Sequence, residues 1–295
     1  MSALDCRKIL IPTDFSETAN IALDHAVSLA KLCNAEIVLL HVVSAFSYKV
    51  TLPEIEEDVT QNAKLSKAID EKMKSIAQEI SEKHGLKIET MAVSGKIRDE
   101  VVKKAEEIDA DLIILGTHGI SGLKEFFKGS NAFRIVSEAA CPVISVQAKA
   151  KRSEYKKIVV PIDSSFHSRE KLGVSVRMAL TYDATLNMIG LRSYDHDDEN
   201  LNARFRMKMK QVEDYLIERN VKYELHTLFC SNIAKTTMDF AVENDADLII
   251  IMTEQEINTT GFFMGPYAQQ VVNHSPVPVM SVRPTEGLTS SVTPY

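Results

Sequence analysis

The sequence predicts an α/β protein of two tandem domains, each a mostly parallel sheet with helices on both faces. Three observations support this. The chain repeats itself: "KILIPTDFS" at Lys8–Ser16 returns as "KIVVPIDSS" at Lys157–Ser165, an offset of 149, and "DADLIILGT" at Asp109–Thr117 returns as "DADLIIIMT" at Asp245–Thr253, an offset of 136. Within each repeat, short apolar runs of strand length alternate with amphipathic stretches of helical period. Finally, 295 residues with 45% apolar and 25% charged side chains suit a globular chain of about two domains.

The duplication is firm. Residues 109–146 aligned with 245–282 without a gap give 16 identities in 38 positions, and "CPVISV" at 141–146 answers "VPVMSV" at 277–282. The change of offset from 149 to 136 means that the first copy holds 13 extra residues. They fall around "SAFSYKVTLPEIEEDVTQN" (44–62), which reads either as a plain surface loop or as a flap over a ligand site.

In the first copy "KILIP" and "EIVLLHVV" are continuous apolar runs, as expected of strands buried on both faces. Between them "SETANIALDHAVSLAKLCN" sets Ile21, Ala22, His25, Ala26, Leu29 and Ala30 on one helical face. A second helix is expected over much of 60–84, with Gly85 suited to its C-cap. Strand "KIETMAV", helix "RDEVVKKAEEID", strand "DLIIL", a helix near 130–140 and strand "PVISV" follow. The second copy repeats the order with "KIVVP", "TLNMIGL", "KYELHTLF", "DLIII" and "PVMSV". These patterns place the domains at 1–148 and 154–284, joined through the polar stretch "QAKAKRSEYK" (147–156) and followed by a loose tail at 285–295.

Charge and cysteines narrow the function. A net charge of −7 argues against a nonspecific nucleic-acid or anionic-membrane surface, both of which need a basic stripe. No apolar run approaches the ~20 residues of a membrane span, and "MSALDCRK" meets charge too early for a signal peptide. Cys6, Cys33, Cys141 and Cys230 form no CxxC pair and read as thiols of a reducing cytoplasm. His226 and Cys230 stand four apart on a strand, about 13 Å, too far to share a metal. The run "ENLNARFRMKMKQVEDYLIERN" has the pattern of a membrane or calmodulin-target helix but reads better as a covering helix with a solvated face, its Met207–Met209 pair filling gaps or a domain interface.

The chemistry concentrates after "DLIIL". There Gly116 and Gly119 open a turn, Gly129-Ser130 follows, and the sequence then becomes helical. Glycine lets the backbone approach a ligand closely, Ser130 can cap the helix, and a helix N-terminus attracts anions. The bland alternative is a tight turn. Two facts favour the phosphate cradle. Residues 116–134 carry Lys124, Lys128 and Arg134 against Glu125, whereas 252–270 carry only Glu254 and Glu256. The second copy also replaces Gly116 by Met252, Gly119 by Gln255 and Ser130 by Pro266, changes that damage the cradle while sparing the flanking strands. At the neighbouring strand end, "PTDFS" brings Pro12, Thr13 and Asp14 to the edge. Asp14 either caps the helix that follows or touches a ribose or a phosphate-bound metal; its persistence as Asp163 supports a structural share.

At these residues the sequence resembles the universal stress protein family over almost its whole length. "KILIPTDFSETANIALDHAVSLAK", "IVLLHVV", "ADLIILGTHGISGLKEFFKGS" and "CPVISV" match its blocks, and Gly116, Gly119, Gly129 and Ser130 meet its nucleotide motif G-x2-G-x9-G-[ST] in full. The resemblance implies a five-stranded parallel sheet in each domain, Rossmann-like and of the adenine nucleotide alpha hydrolase type. It implies an ATP or other adenine nucleotide site with Mg2+ or Mn2+, Asp14 meeting the metal indirectly through the phosphates. Carried over by position, Val42 would hold the adenine side, Pro12, Thr13 and Asp14 would line the ribose and phosphate region, and Leu115 would precede the loop. Gly116, His118, Gly119, Gly129, Ser130 and Asn131 would hold the phosphates, with His118 otherwise a bystander. The family's domains pair through their last strands, implying an intramolecular pseudo-dimer of "PVISV" and "PVMSV" that leaves room for a further homodimer.

Three function classes stay open. A cytoplasmic, ATP-binding regulatory module of the stress response, with one intact site in the first copy, fits best. A slow ATPase or nucleotidyl-transfer enzyme is the second, but no P-loop and no nucleophile–base pair is visible. A nucleotide-independent scaffold is the third.

Overall fold

The computed structural model describes residues 3–43, 59–117, 130–150, 152–163, 165, 167–193, 199–253, 255–258 and 261–284. Residues 44–58 of the insertion at 44–62, the loop at 118–129 and the tail at 285–295 lie outside them. The chain divides into two compact units, Cys6–Ala148 and Lys149–Tyr295 with Met1–Asp5.

The first unit runs β1 (Lys8–Pro12), α1 (Glu17–Cys33), β2 (Glu36–Val43), α2 (Val59–His84), β3 (Ile88–Ser94), α3 (Ile97–Glu107), β4 (Leu112–Gly116), α4 (Ser130–Glu138) and β5 (Val143–Val146). Its strands lie in the order β3-β2-β1-β4-β5, all neighbours parallel. Ile9, Leu10 and Ile11 of β1 and Ile113 and Ile114 of β4 are fully buried, because helices cover both faces of a parallel sheet. The first two crossovers step outward from β1 to β3, and the third returns to β4. The order therefore reverses between β1 and β4, whose carboxyl ends open a crevice.

Local sequence explains the joints. The Ser16 hydroxyl caps α1 by accepting the Ala19 N–H at 3.2 Å. The helix ends at Asn34, which takes the left-handed conformation, φ 55°. On its inner face Ala22, His25, Ala26, Leu29 and Ala30 are buried as the periodicity predicts, while Ile21 is only half-buried. After α2, Gly85 has φ 68° and its N–H returns to the Ser81 carbonyl, as expected of that glycine.

The second unit runs β6 (Lys157–Ile162), a 3-10 turn (His167–Arg169), α5 (Leu172–Tyr182), β7 (Thr185–Ser193), α6 (Glu199–Ile217), β8 (Lys222–Cys230), α7 (Ile233–Glu243), β9 (Leu248–Met252), β10 (Gln255–Asn258), β11 (Gly261–Met264), α8 (Pro266–His274) and β12 (Val279–Val282). Its parallel order β8-β7-β6-β9-β12 repeats that of the first unit. Met209, Val212 and Leu216 seat α6 on the sheet. Met209 is buried while Met207 is 65% exposed, so of the two only Met209 fills a gap within the unit. Tyr155, within the stretch the sequence suggests is a linker, is fully buried with its ring 5.0 Å from that of Tyr182. That part of the stretch belongs to a core.

The repeated "DADL" has a mechanical reason. Asp109 and Asp245 both adopt φ 51° at the turn before the strand. The Asp111 carboxylate accepts the N–H groups of Arg7 and Lys8 at 2.8 and 2.9 Å, and that of Asp247 accepts those of Lys156 and Lys157, both at 2.9 Å. Each carboxylate thus ties the start of one strand to that of its neighbour. Asp247 is the more buried, so Asp247→Ala, which orphans two backbone donors, is expected to cost about 2–3 kcal/mol. Urea denaturation measures the cost, and faster hydrogen exchange at Lys156 and Lys157 identifies its origin.

Candidate functional site

Pro12, Thr13, Asp14, Val42, Leu115 and Gly116 all lie at the carboxyl ends of the adjacent strands β2, β1 and β4. Ser130 and Asn131 form the first turn of α4, the helix after β4. His118, Gly119 and Gly129 lie outside the described residues.

Thr13 is buried. Its N–H donates to the Leu40 carbonyl at 2.8 Å, extending the strand pairing by one step, and its hydroxyl accepts the Phe15 N–H at 3.1 Å. Asp14 accepts the Ser16 N–H at 3.0 Å. The cap of α1 is therefore Ser16, and Asp14 shapes the turn leading into it. Phe15 holds φ 64°, a left-handed conformation that costs a bulky residue energy unless its surroundings enforce it. Here they do. The Phe15 ring stacks on His41, with centroids 4.7 Å apart and planes 18° from parallel, and the Lys72 ammonium of α2 stands 4.4 Å from its centroid. His41 Nδ1 lies 2.8 Å from the Thr13 carbonyl, which can only accept, so that nitrogen carries the proton. Burial, chiefly, and the Lys72 charge push the His41 pKa below its ordinary value, against the pull of the Thr13 carbonyl and Asp14. The imidazole is neutral at physiological pH.

Phe15, His41 and Lys72 were not foreseen. The first two stand in quoted runs, but nothing local signals a positive φ at a phenylalanine. Lys72 joins them from a helix later in the chain, 57 residues after Phe15 and 31 after His41.

On the β4 side, Leu115 is buried and Gly116 pairs with Val146. A Cβ on Gly116 would lie 2.8 Å from the Thr18 carbonyl oxygen and 2.9 Å from both the Thr18 carbonyl carbon and Cγ2. The close approach of α1 is by itself enough to require a glycine here, whatever its backbone N–H meets. Gly116→Ala should therefore destabilise the first unit by about 1–3 kcal/mol, read as a lowered denaturation midpoint without ligand. Next, Thr117 donates its N–H to the Val146 carbonyl at 3.0 Å, and its hydroxyl pairs with Gln147.

The second unit keeps this frame and changes its contents. Asp163 accepts from both the N–H and the hydroxyl of Ser165, at 2.9 and 2.6 Å, repeating the Asp14 turn. The Lys208 ammonium of α6 donates to the Asp163 and Ser165 carbonyls, both at 2.9 Å. Among the described residues after β6 the α-helix begins only at Leu172, and Met252, the counterpart of Gly116, is buried. In place of a glycine loop the backbone forms the antiparallel pair β10–β11, from Gln255↔Met264 to Asn258↔Gly261. Pro266 begins α8 after Gly265, whose position has no side-chain cap.

Among the described residues no group of three or more His, Cys, Asp or Glu is placed to hold a metal, and no helix is long and apolar enough to cross a membrane. Burial pushes the Cys6 and Cys141 thiols up to about 12, which makes them poor nucleophiles.

Comparison with known proteins agrees with this frame. Universal stress protein MJ0577 of Methanocaldococcus jannaschii is 35% identical over 156 residues, 48% of this chain and 96% of that protein. Universal stress protein YxiE of Bacillus subtilis is 33% identical over 147 residues, 48% of this chain and 98% of its own. A universal stress protein structure from Archaeoglobus fulgidus superposes with a TM-score of 0.71 over 95% of this chain and 97% of the other, at 19% identity, which speaks for the fold alone. The profile of the universal stress protein family matches residues 6–147 and again 154–283, so the chain belongs to that family and contains two of its domains in tandem.

Proposed function

We propose that this chain is an adenine-nucleotide-binding universal stress protein with one working site, in the first unit. The supporting observation is the asymmetry of the duplication. Both units keep the strand order, the Asp turn and the Asp clamp, yet only the first retains the G-x2-G-x9-G-[ST] motif, while the second has a strand pair there and a lysine folded onto its Asp turn. In this reading Val42 holds the adenine side, Pro12, Thr13 and Asp14 line the ribose and phosphate region, Leu115 precedes the loop, and Gly116, His118, Gly119, Gly129, Ser130 and Asn131 hold the phosphates. The residues fit that ligand: Asp14 is a half-buried carboxylate at the strand end, and α4, the helix after β4, starts at Ser130, where a helix N-terminus offers N–H groups to an anion. Bound Mg2+ or Mn2+ would offset phosphate charge beside Asp14. No catalytic residue is assigned; binding, with a cytoplasmic regulatory role in stress, is the proposed activity. The domains at 1–148 and 154–284 are proposed to pair through β5 and β12.

A ligand that binds only the native state raises its unfolding temperature. MgATP in excess should therefore raise that of the first unit by several degrees and leave Gly119→Asp unmoved. No shift in the wild-type protein at millimolar MgATP would remove the proposal.

A further inference from the structure

The two copies treat one lysine differently. Lys72 on α2 immediately precedes the buried Met73, and Lys208 on α6 immediately precedes the buried Met209. Both ammonium groups reach the loop after the first strand of their unit. Lys208 is held there by the Asp163 and Ser165 carbonyls, a commitment of two charge-assisted hydrogen bonds. Lys72 is exposed, and its ammonium rests on the Phe15 ring, a weak hold at a solvated site.

What supports Lys72 is specific to the first copy. Phe15 is replaced in sequence by Ser164. By strand register His41, one residue after Leu40, corresponds to Gly190, one after Ile189. A Cβ on Gly190 would lie 2.6 Å from the Phe205 ring of α6, so an aromatic from the helix fills the space beside that glycine. The second copy thus lacks the Phe15–His41 stack and has its lysine turned inward. The first keeps the stack and an exposed cation on Phe15, the residue after Asp14, with Asp14 and Lys72 both acting on His41.

We infer that Lys72 is a further binding residue of the first unit: its ammonium leaves Phe15 for the phosphate chain of the bound nucleotide, so that α2 makes the site prefer adenosine polyphosphates to adenosine. This rests on the nucleotide reading above. The four-carbon stem carries the charge without moving the helix, and exchanging a ring face for a phosphate is favourable because an ion pair supported by a hydrogen bond outweighs an exposed cation–π contact.

The test is equilibrium binding of MgATP and of adenosine to the full chain as wild type, Lys72→Gln, Lys72→Arg and Lys74→Gln. The last removes a charge from an exposed position of the same helix. Lys72→Gln should weaken MgATP binding about tenfold or more, the effect of one charged hydrogen bond, and change adenosine binding less than about twofold. Lys72→Arg should retain MgATP, and Lys74→Gln should match the wild type. Equal weakening of both ligands would make Lys72 only a support for Phe15 and overturn the inference, as would equal losses in Lys74→Gln or no change in Lys72→Gln. Wild-type protein that binds neither ligand would instead defeat the nucleotide reading itself, and this inference with it.

Discussion

Tyr155→Ala is expected to cost the second unit about 3–5 kcal/mol, the usual penalty for removing a buried aromatic ring, and to leave the first unit nearly unchanged. Tyr155 is fully buried beside Tyr182, and its burial pushes its own pKa well up. It lies just before β6, between the clamp formed by Asp247 on Lys156 and Lys157 and the tether of Lys156 Nζ to the Tyr182 carbonyl at 2.7 Å. Losing the ring leaves a cavity where the strand is anchored. Hydrogen exchange followed segment by segment should show protection falling in β6, β7 and β9 while β1, β2 and β4 keep theirs. A uniform loss over both units would mean that they unfold as one body; no loss would mean that Tyr155 is not part of the core.

His25 sets the second expectation. It is 1% exposed in α1, and burial lowers its pKa from 6.5 to about 4. Between those values the unfolded chain binds a proton that the folded chain refuses, so acid favours unfolding. The stability present above pH 6.5 is therefore lost as pH falls toward 4, by on the order of 3 kcal/mol at the lower end. His41, shifted the same way by burial, adds to the slope. Urea midpoints at pH 7.5, 6, 5 and 4.5 for wild type and His25→Gln isolate the effect: the variant should show a shallower decline. Parallel profiles would mean that the acid sensitivity comes from other groups.

Much of the fold was legible because the duplication supplied an internal comparison. Strand segments such as "ILI" (9–11) and "LIII" (248–251) are apolar throughout, as burial on both faces requires, and Gly85 is a helix terminus of known chemistry. Of the candidate site, Thr13, Asp14 and Gly116 were legible as strand-end positions, because Thr13-Asp14 directly follows one apolar run and Gly116 closes another. Its finer parts were not. Gly116 reads in sequence as a ligand-facing glycine, yet the Thr18 backbone occupies the space that a side chain would need, a contact between segments about a hundred residues apart. The β10–β11 pair escaped notice because "QEIN" and "GFFM" are too short to show a period. The aromatic support of Lys72 depends on a positive φ at Phe15, which no propensity suggests.

The most direct measurement is a calorimetric titration of nucleotide-stripped protein with MgATP, read for stoichiometry. One site per chain, abolished by Gly119→Asp and unaffected by Gln255→Ala, is the predicted result. Two sites per chain, or a single site that survives Gly119→Asp, would contradict the assignment of binding to the first unit.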